Sequence, residues 1–436
     1  MAFIFSSLFA HGVGGRSDLP ISEWIAAWSG AMALLLSFAA LGLLWHQPRF
    51  PKLLSGHLIS KFTKIGQVIA ATAQLLALAL FFVVFTACFI GPNNTVANIA
   101  PTAVFIIFWV GVAIFSAIFG PFWKTVSPWE TLGKLVDKNR TAAARPAPKW
   151  LASGWAALIP ITIFHWLELA YHDGSSPRVL GWSMLVYTAS LLAAAWRWGW
   201  NEARKAEGFG VLFQLIAAIS PLFRDEKNQL KVRFPFVGIS ALKMSGPSIA
   251  IVLAALGGTA FDGVSRTGWW LDLAVGKSGW GLTVVNTLGL VWVALIIGVA
   301  YHQASRIGSR LTSDQNFALI FGGSLIPILI GYDVAHYFSL LILEGQAFKI
   351  LLSDPYGQGW NIFGTADHAI NWTVVSTTVI GWVQIGSIVS GHLFGVLFAH
   401  DRSVELWSKR TALQSQYPML MVMVIYTVMG LVLMTG

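Results

Sequence analysis

The sequence predicts an all-α fold: a polytopic transmembrane helical bundle of about ten spans with both termini outside. Three observations carry this. The 436 residues are 56% hydrophobic and only 11% charged, with mean hydropathy +0.67, a balance outside the range of soluble domains. The apolar residues run continuously over about 20 positions at a time, the length that crosses a bilayer, and do not alternate as barrel strands do. All but five of the 28 basic residues fall on one side of that layout, the exceptions being Arg16, Arg178, Arg266, Lys277 and Lys349. By the positive-inside rule that side is cytoplasmic.

The spans lie at 21–45, 65–91, 101–120, 150–171, 179–199, 246–262, 280–301, 316–343, 374–398 and 416–435. Basic clusters follow the odd-numbered spans: Arg49 to Lys64, Lys124 to Lys149, Arg197 to Lys243, Arg306 with Arg310, and Arg402 to Arg410. Many tryptophans mark span ends, among them Trp24, Trp45, Trp182, Trp198, Trp269 and Trp280, as an aromatic belt requires. The net charge of +9 is therefore an orientation signal, and a nucleic-acid partner has no support. The expected surroundings are membrane lipid.

No loop is long enough for a soluble domain, so 1–436 reads as one transmembrane domain. It carries cytoplasmic inserts at 121–149 and 200–245 and an external loop at 344–373. Within the larger insert, 208–222 is apolar but short, and reads as an interfacial or re-entrant helix. Arg224 to Lys227 reads as a solvated turn. The external loop, with Gly357, Gly359 and Gly364, reads as a structured lid over the outer face. Met1 to Ala10 is apolar, as a short signal peptide would be, but its length and the lack of a charged start argue against cleavage. The single Cys88 cannot form an intrachain disulfide. A Walker loop, a GxSxG elbow and an HExxH helix are all absent from the sequence, against an ATPase, an ordinary serine hydrolase or a zincin.

The chemistry concentrates in the outer halves of the spans. Span eight carries Asp333 and His336, three residues apart and so on one helix face. Each costs about 2.5 kcal/mol or more in hydrocarbon, so it needs a partner, a cavity or a metal. Span four places His165 and Glu168 at the same spacing and a similar depth, and span six brings Asp262 to its outer end. Carboxylate and imidazole one turn apart on two helices is a pattern used by metal sites in bundles. Such donors suit Zn, Fe, Mn or Cu. Structural pairing and a proton or ion path are the competing uses of the same residues. Pro327, near Gly322, Gly323 and Gly331, predicts a kink that opens room beside Asp333. In span nine, Ser387, Gly391 and Gly395 form a small-residue packing face. His392 beside it reads as a packing residue, a further ligand or a proton-path member. His400, Asp401 and Arg402 read as a solvated helix end.

Six stretches together carry a resemblance: AHGVGGRSDLP at 10–20, FWKTVSPWE at 122–130, LGGTAFDG at 256–263, GYDVAHYFSL at 331–340, GTAD at 364–367 and GHLFGVLFAHDR at 391–402. They resemble bacterial integral membrane proteins known as fenitrothion hydrolases, over nearly the whole chain. The resemblance implies hydrolysis of a lipophilic aryl phosphorothioate triester, and it supplies no catalytic residues. For a metal-dependent version of that reaction, position selects Asp333, His336, Glu168 and Asp262 as ligands, with His165 and His392 in reserve. Asp367 or His368 would stand near the attacking water. Two other functions remain open from the residues alone: a transporter or ion-coupled permease for a lipophilic small molecule or ion, and an accessory subunit with partners in a membrane complex.

Overall fold

Serine and proline start several of the helices. Ser127, Ser245 and Ser376 each accept the backbone N–H three residues on, from Glu130, Ser248 and Val379. Pro128, Pro177 and Pro247 occupy the first turn of their helices, where no N–H is needed. In a computed structural model of the chain, the residues described are 21–60, 64–140 and 143–433. The expectations for Met1–Ala10 and Arg16 lie outside them.

The helices are α1 (Glu23–Leu44), α2 (Lys64–Ile90), α3 (Ile99–Phe119), α4 (Pro128–Lys138), α5 (Leu158–Leu169), α6 (Pro177–Trp198), α7 (Gly208–Ile216), α8 (Gly246–Ser265), α9 (Gly279–Thr312), α10 (Leu325–Leu343), α11 (Thr377–Leu406) and α12 (Lys409–Leu433). Among the described residues, nine helices are long and apolar enough to cross a membrane. Residues such as Leu36, Val68, Leu76, Val186, Leu288 and Met421 are exposed on them, which is the lipid-facing surface of a membrane-embedded bundle.

The expected fourth span is the exception by length. Only the shorter apolar helix Trp155–Leu169 forms there, because Gly154 takes a positive φ of 87° and breaks the turn before it. The two ends of this segment still lie beside the two ends of α6. At one, Arg145 N donates to Arg197 O at 3.2 Å and the Trp150 and Trp198 rings meet. At the other, a short turn leads directly into α6.

Helix α10 is the centre of the bundle, buried along most of its length and packed against α3, α7, α8 and α11. Its contact with α11 is the most extensive, and the predicted small-residue face makes it. The Gly391 backbone meets Pro327 O and Gly331 Cα, while Gly395 lies against Ser324 O. Pro327 does not kink the helix as expected. The break comes earlier, in the tight turn Gly322–Ser324, and Pro327 sits in the first turn of α10, where it removes no helix bond. The space expected beside it is filled by α11. Part of α3, Thr102–Gly111, is wound as a π-helix, a form that marks local strain or function. Helix α7 is mostly buried and packs against α5 and α8.

Three short strands escape the all-α expectation: β1 (His57–Ser60), β2 (Leu222–Arg224) and β3 (Leu230–Val232), ordered β1-β3-β2 and antiparallel. The 224–227 turn closes the β2–β3 hairpin. There the Asp225 carboxylate accepts Lys227 N and Gln229 N at 2.9 Å and pairs with Lys231. These bonds to its charged form hold its pKa below the ordinary value.

The end of α11 corrects another expectation. His400 and Asp401 are buried at 1% and 2% exposure, not solvated. Asp401 accepts Trp45 Nε1 at 2.8 Å, Arg49 N at 2.6 Å and Phe50 N at 3.2 Å. His400 Nε2 donates to Trp45 O at 3.0 Å, while its Nδ1 accepts from Gln416. Asp401 thus ties the end of α1 to α11. Asp401→Ala strands three donors and is expected to cost about 2 kcal/mol or more. The check is thermal unfolding in detergent, with faster proteolysis near 45–55; an unchanged midpoint would show that the clamp carries no weight.

Candidate buried polar centre

Five ionisable residues that the sequence places in one leaflet lie on three packed helices. Helix α5 contributes His165 and Glu168, α8 contributes Asp262, and α10 contributes Asp333 and His336. Their exposures run from 0% at Asp262 to 7% at Asp333, so bulk water does not neutralise their cost. Asp262 and His336 solve this by pairing: His336 Nε2 and Asp262 Oδ2 are 2.5 Å apart. Arg266, one turn further along α8, approaches Asp262 Oδ1 at 3.4 Å. Its side chain is 20% exposed, so the buried carboxylate is linked to the bundle surface.

Glu168 stands within electrostatic reach of both Asp262 and Asp333, and Tyr337 within reach of all three carboxyl groups. Glu168 Oε2 and Asp333 Oδ1 have no hydrogen-bond partner among the described residues. His165 fits because Gly258 of α8 has no side chain: a Cβ there would collide with the ring. Trp109, on the π-wound part of α3, packs edge-on against the same ring at 5.1 Å. His165 Nδ1 is engaged by Ile161 O at 2.8 Å, which leaves Nε2 without a partner and, in the neutral ring, with a lone pair.

The other candidates are placed elsewhere. His392 is buried on α11, its Nδ1 on Ile388 O and its ring beside Tyr332 and Tyr426. Tyr332 and Tyr426 donate to Tyr426 O and Leu256 O, so this group locks α10, α12 and α8 together. Asp367 and His368 are exposed in the 344–373 loop. Asp367 accepts from Asn361 Nδ2 at 3.3 Å, and no bond or ion pair among the described residues joins either to the buried centre. Asp262, at the end of the expected sixth span, is fully enclosed.

A metal does not fit this arrangement well. Among the described residues, no group of three or more His, Cys, Asp or Glu side chains is placed to hold an ion. Asp262 and His336, the two expected ligands at the core, are turned toward each other. The arrangement can instead hold, share and move protons: a carboxylate–imidazole pair, two further carboxyls and a histidine with a vacant nitrogen.

Three participants were not singled out from the sequence. Arg266 is four residues after Asp262, a spacing that puts both on one helix face, so its signal was present. Trp109 and Tyr337 gave none beyond their aromatic character. No protein-family model matches the chain, and neither a curated protein nor a solved structure shows a significant match to it.

Proposed function

We propose that the chain is a bacterial inner-membrane permease with ten crossings and both termini outside, in which the Asp262–His336 pair couples proton movement to helix movement. The observation that carries this is the buried pair itself, bridging α8 and α10 and flanked by Glu168 and Asp333. A proton delivered to Asp262 removes the charge that holds Arg266 and weakens the bond from His336. Helices α8 and α10 then lose their main polar link, and Glu168, within electrostatic reach of Asp262, is the next carboxyl group to take up a proton. A two-state element biased by protonation is the general form of such coupling. Intramembrane ionisable groups of this kind commonly serve ion or proton pathways.

A metal-dependent version of the hydrolysis implied by the resemblance would need a donor set, and among the described residues no group of three or more His, Cys, Asp or Glu side chains forms one. The transported solute is lipophilic or ionic in this reading.

The test is proton uptake into proteoliposomes holding a pH-sensitive dye, driven by an imposed membrane potential. The wild-type protein is expected to give protein-dependent uptake. Asp262→Asn, which keeps the shape but cannot ionise, is expected to cut it about a hundredfold, the scale of losing one proton-transfer group. Equal uptake in the variant, or none above empty liposomes in the wild type, would overturn the assignment.

A further inference from the structure

A cavity of about 300 Å³ opens where the two basic inserts meet. Its lining includes Trp123, Lys124, Glu130, Arg204, Lys205 and Glu207, and none of the residues of the buried polar centre. Beside the cavity Trp200 crosses over α4, its ring filling the place of a side chain at Gly133. Trp200 Nε1 also donates to Glu130 Oε2 at 2.9 Å.

Two carboxyl groups in the wall would at first argue for a cation, but both are accounted for. Glu130 receives the Trp200 bond and the Lys134 ammonium at 3.0 Å. Glu207 caps α7 through Gly210 N at 3.0 Å and accepts from Tyr187 at 3.3 Å. Burial raises the Glu207 pKa to about 8, well above the carboxylate range, so the group is neutral at pH 7. The groups facing it are Tyr187 from α6, Glu130 from α4 and Trp123 from the segment before α4.

What remains unspent is donor capacity. Trp123 is 9% exposed, and its Nε1–H faces the Glu207 carboxyl without making a hydrogen bond of ordinary geometry. A buried N–H in that state is costly and calls for an acceptor. Lys124 and Arg204 stand at the rim with no ion pair among the described residues, whereas Lys205 is paired with Glu202 at 2.9 Å.

We propose that this cavity is a binding site for a small oxyanion, a carboxylate or phosphate group, held by Lys124 and Arg204 at the rim and by the Trp123 indole N–H within. The site is separate from the Asp262–His336 centre and does not depend on proton coupling there. Its oxyanion can come from a soluble metabolite or from the headgroup of an anionic lipid. The sign of its pH dependence follows from Glu207. That group is neutral below about pH 8 and does not oppose an anion, but ionises above it and repels one.

The experiment is equilibrium binding of radiolabelled succinate and of inorganic phosphate to the full chain, purified in neutral detergent. A parallel arm uses nanodiscs with and without phosphatidylglycerol. Saturable binding of either soluble anion is expected, weakened about tenfold in Lys124→Gln and in Arg204→Gln, the scale of losing one charge-assisted bond. Wild-type binding should weaken from pH 7 to pH 9, and Glu207→Gln should flatten that change. Competition by phosphatidylglycerol, lost in the same two variants, would support the site and assign its oxyanion to lipid. Absence of saturable binding in every arm, or binding unaffected by both rim variants while their thermal unfolding matches wild type, would overturn the proposal.

Discussion

Asp262→Ala is expected to destabilise the protein by about 3–5 kcal/mol, the scale for removing one partner from a buried pair. The loss is not the worth of one hydrogen bond. His336 would keep its place at 2% exposure with its Nε2 facing a void, and Arg266 would lose the carboxylate it approaches at 3.4 Å. Asp262→Asn keeps an acceptor oxygen in the same volume and should cost less, which is why it serves the transport assay. The double variant Asp262→Ala with His336→Leu removes both polar groups and restores apolar volume, so it should be more stable than Asp262→Ala alone. Thermal unfolding of the three purified variants in one detergent gives the comparison. If Asp262→Ala unfolds with the wild type, the pairing of α8 with α10 through this site is wrong.

Much of the fold and part of the centre could be read from residue order, and the boundary between the two is physical. The spans were legible because lipid demands long apolar runs. Ser387, Gly391 and Gly395 were legible as a packing face because helical periodicity alone aligns them. Asp333 with His336, and His165 with Glu168, stood out for the same local reason. Which group pairs with which was not legible. His336 bonds to Asp262, 74 positions away, and not to Asp333 on its own helix, a choice made by the spatial order of α8 and α10.

Asp401 failed in the opposite direction. A His-Asp-Arg run at a helix end has the composition of a solvated terminus, and only the returning chain at Trp45 to Phe50 buries it. The oxyanion cavity was invisible because its walls come from residues near 123 and near 207, each unremarkable in its own insert. Pro327 was over-read: whether a proline breaks a helix depends on its distance from the helix start, and Gly322–Ser324 reset that start.

Gly391→Val should be at least as damaging as the loss of Asp262, for reasons of shape alone. A Cβ at Gly391 would stand 2.6 Å from Pro327 O and 3.2 Å from Gly331 Cα. Both are backbone atoms of the facing helix, so no rotamer change relieves the contact. The same seam has two more close approaches, since a Cβ at Gly331 would stand 2.6 Å from Ser387 O and one at Gly395 2.9 Å from Ser324 O, so α11 cannot tilt away at one point without opening the others. Overpacking here is expected to cost about 3 kcal/mol or more. Because the first added carbon already collides, Gly391→Ala should show much of the effect. Gly386, five residues earlier on α11, is exposed, and a Cβ there meets nothing within 4 Å. Gly386→Ala should therefore be neutral or stabilising by up to about 1 kcal/mol through helix propensity, and is the control for glycine loss as such. Proton uptake separates this seam from the polar centre. A Gly391 variant that still folds moves α10, and with it Asp333 and His336, so its uptake should fall although every ionisable group is intact. Full stability and full uptake in Gly391→Val would refute the close packing of α10 on α11.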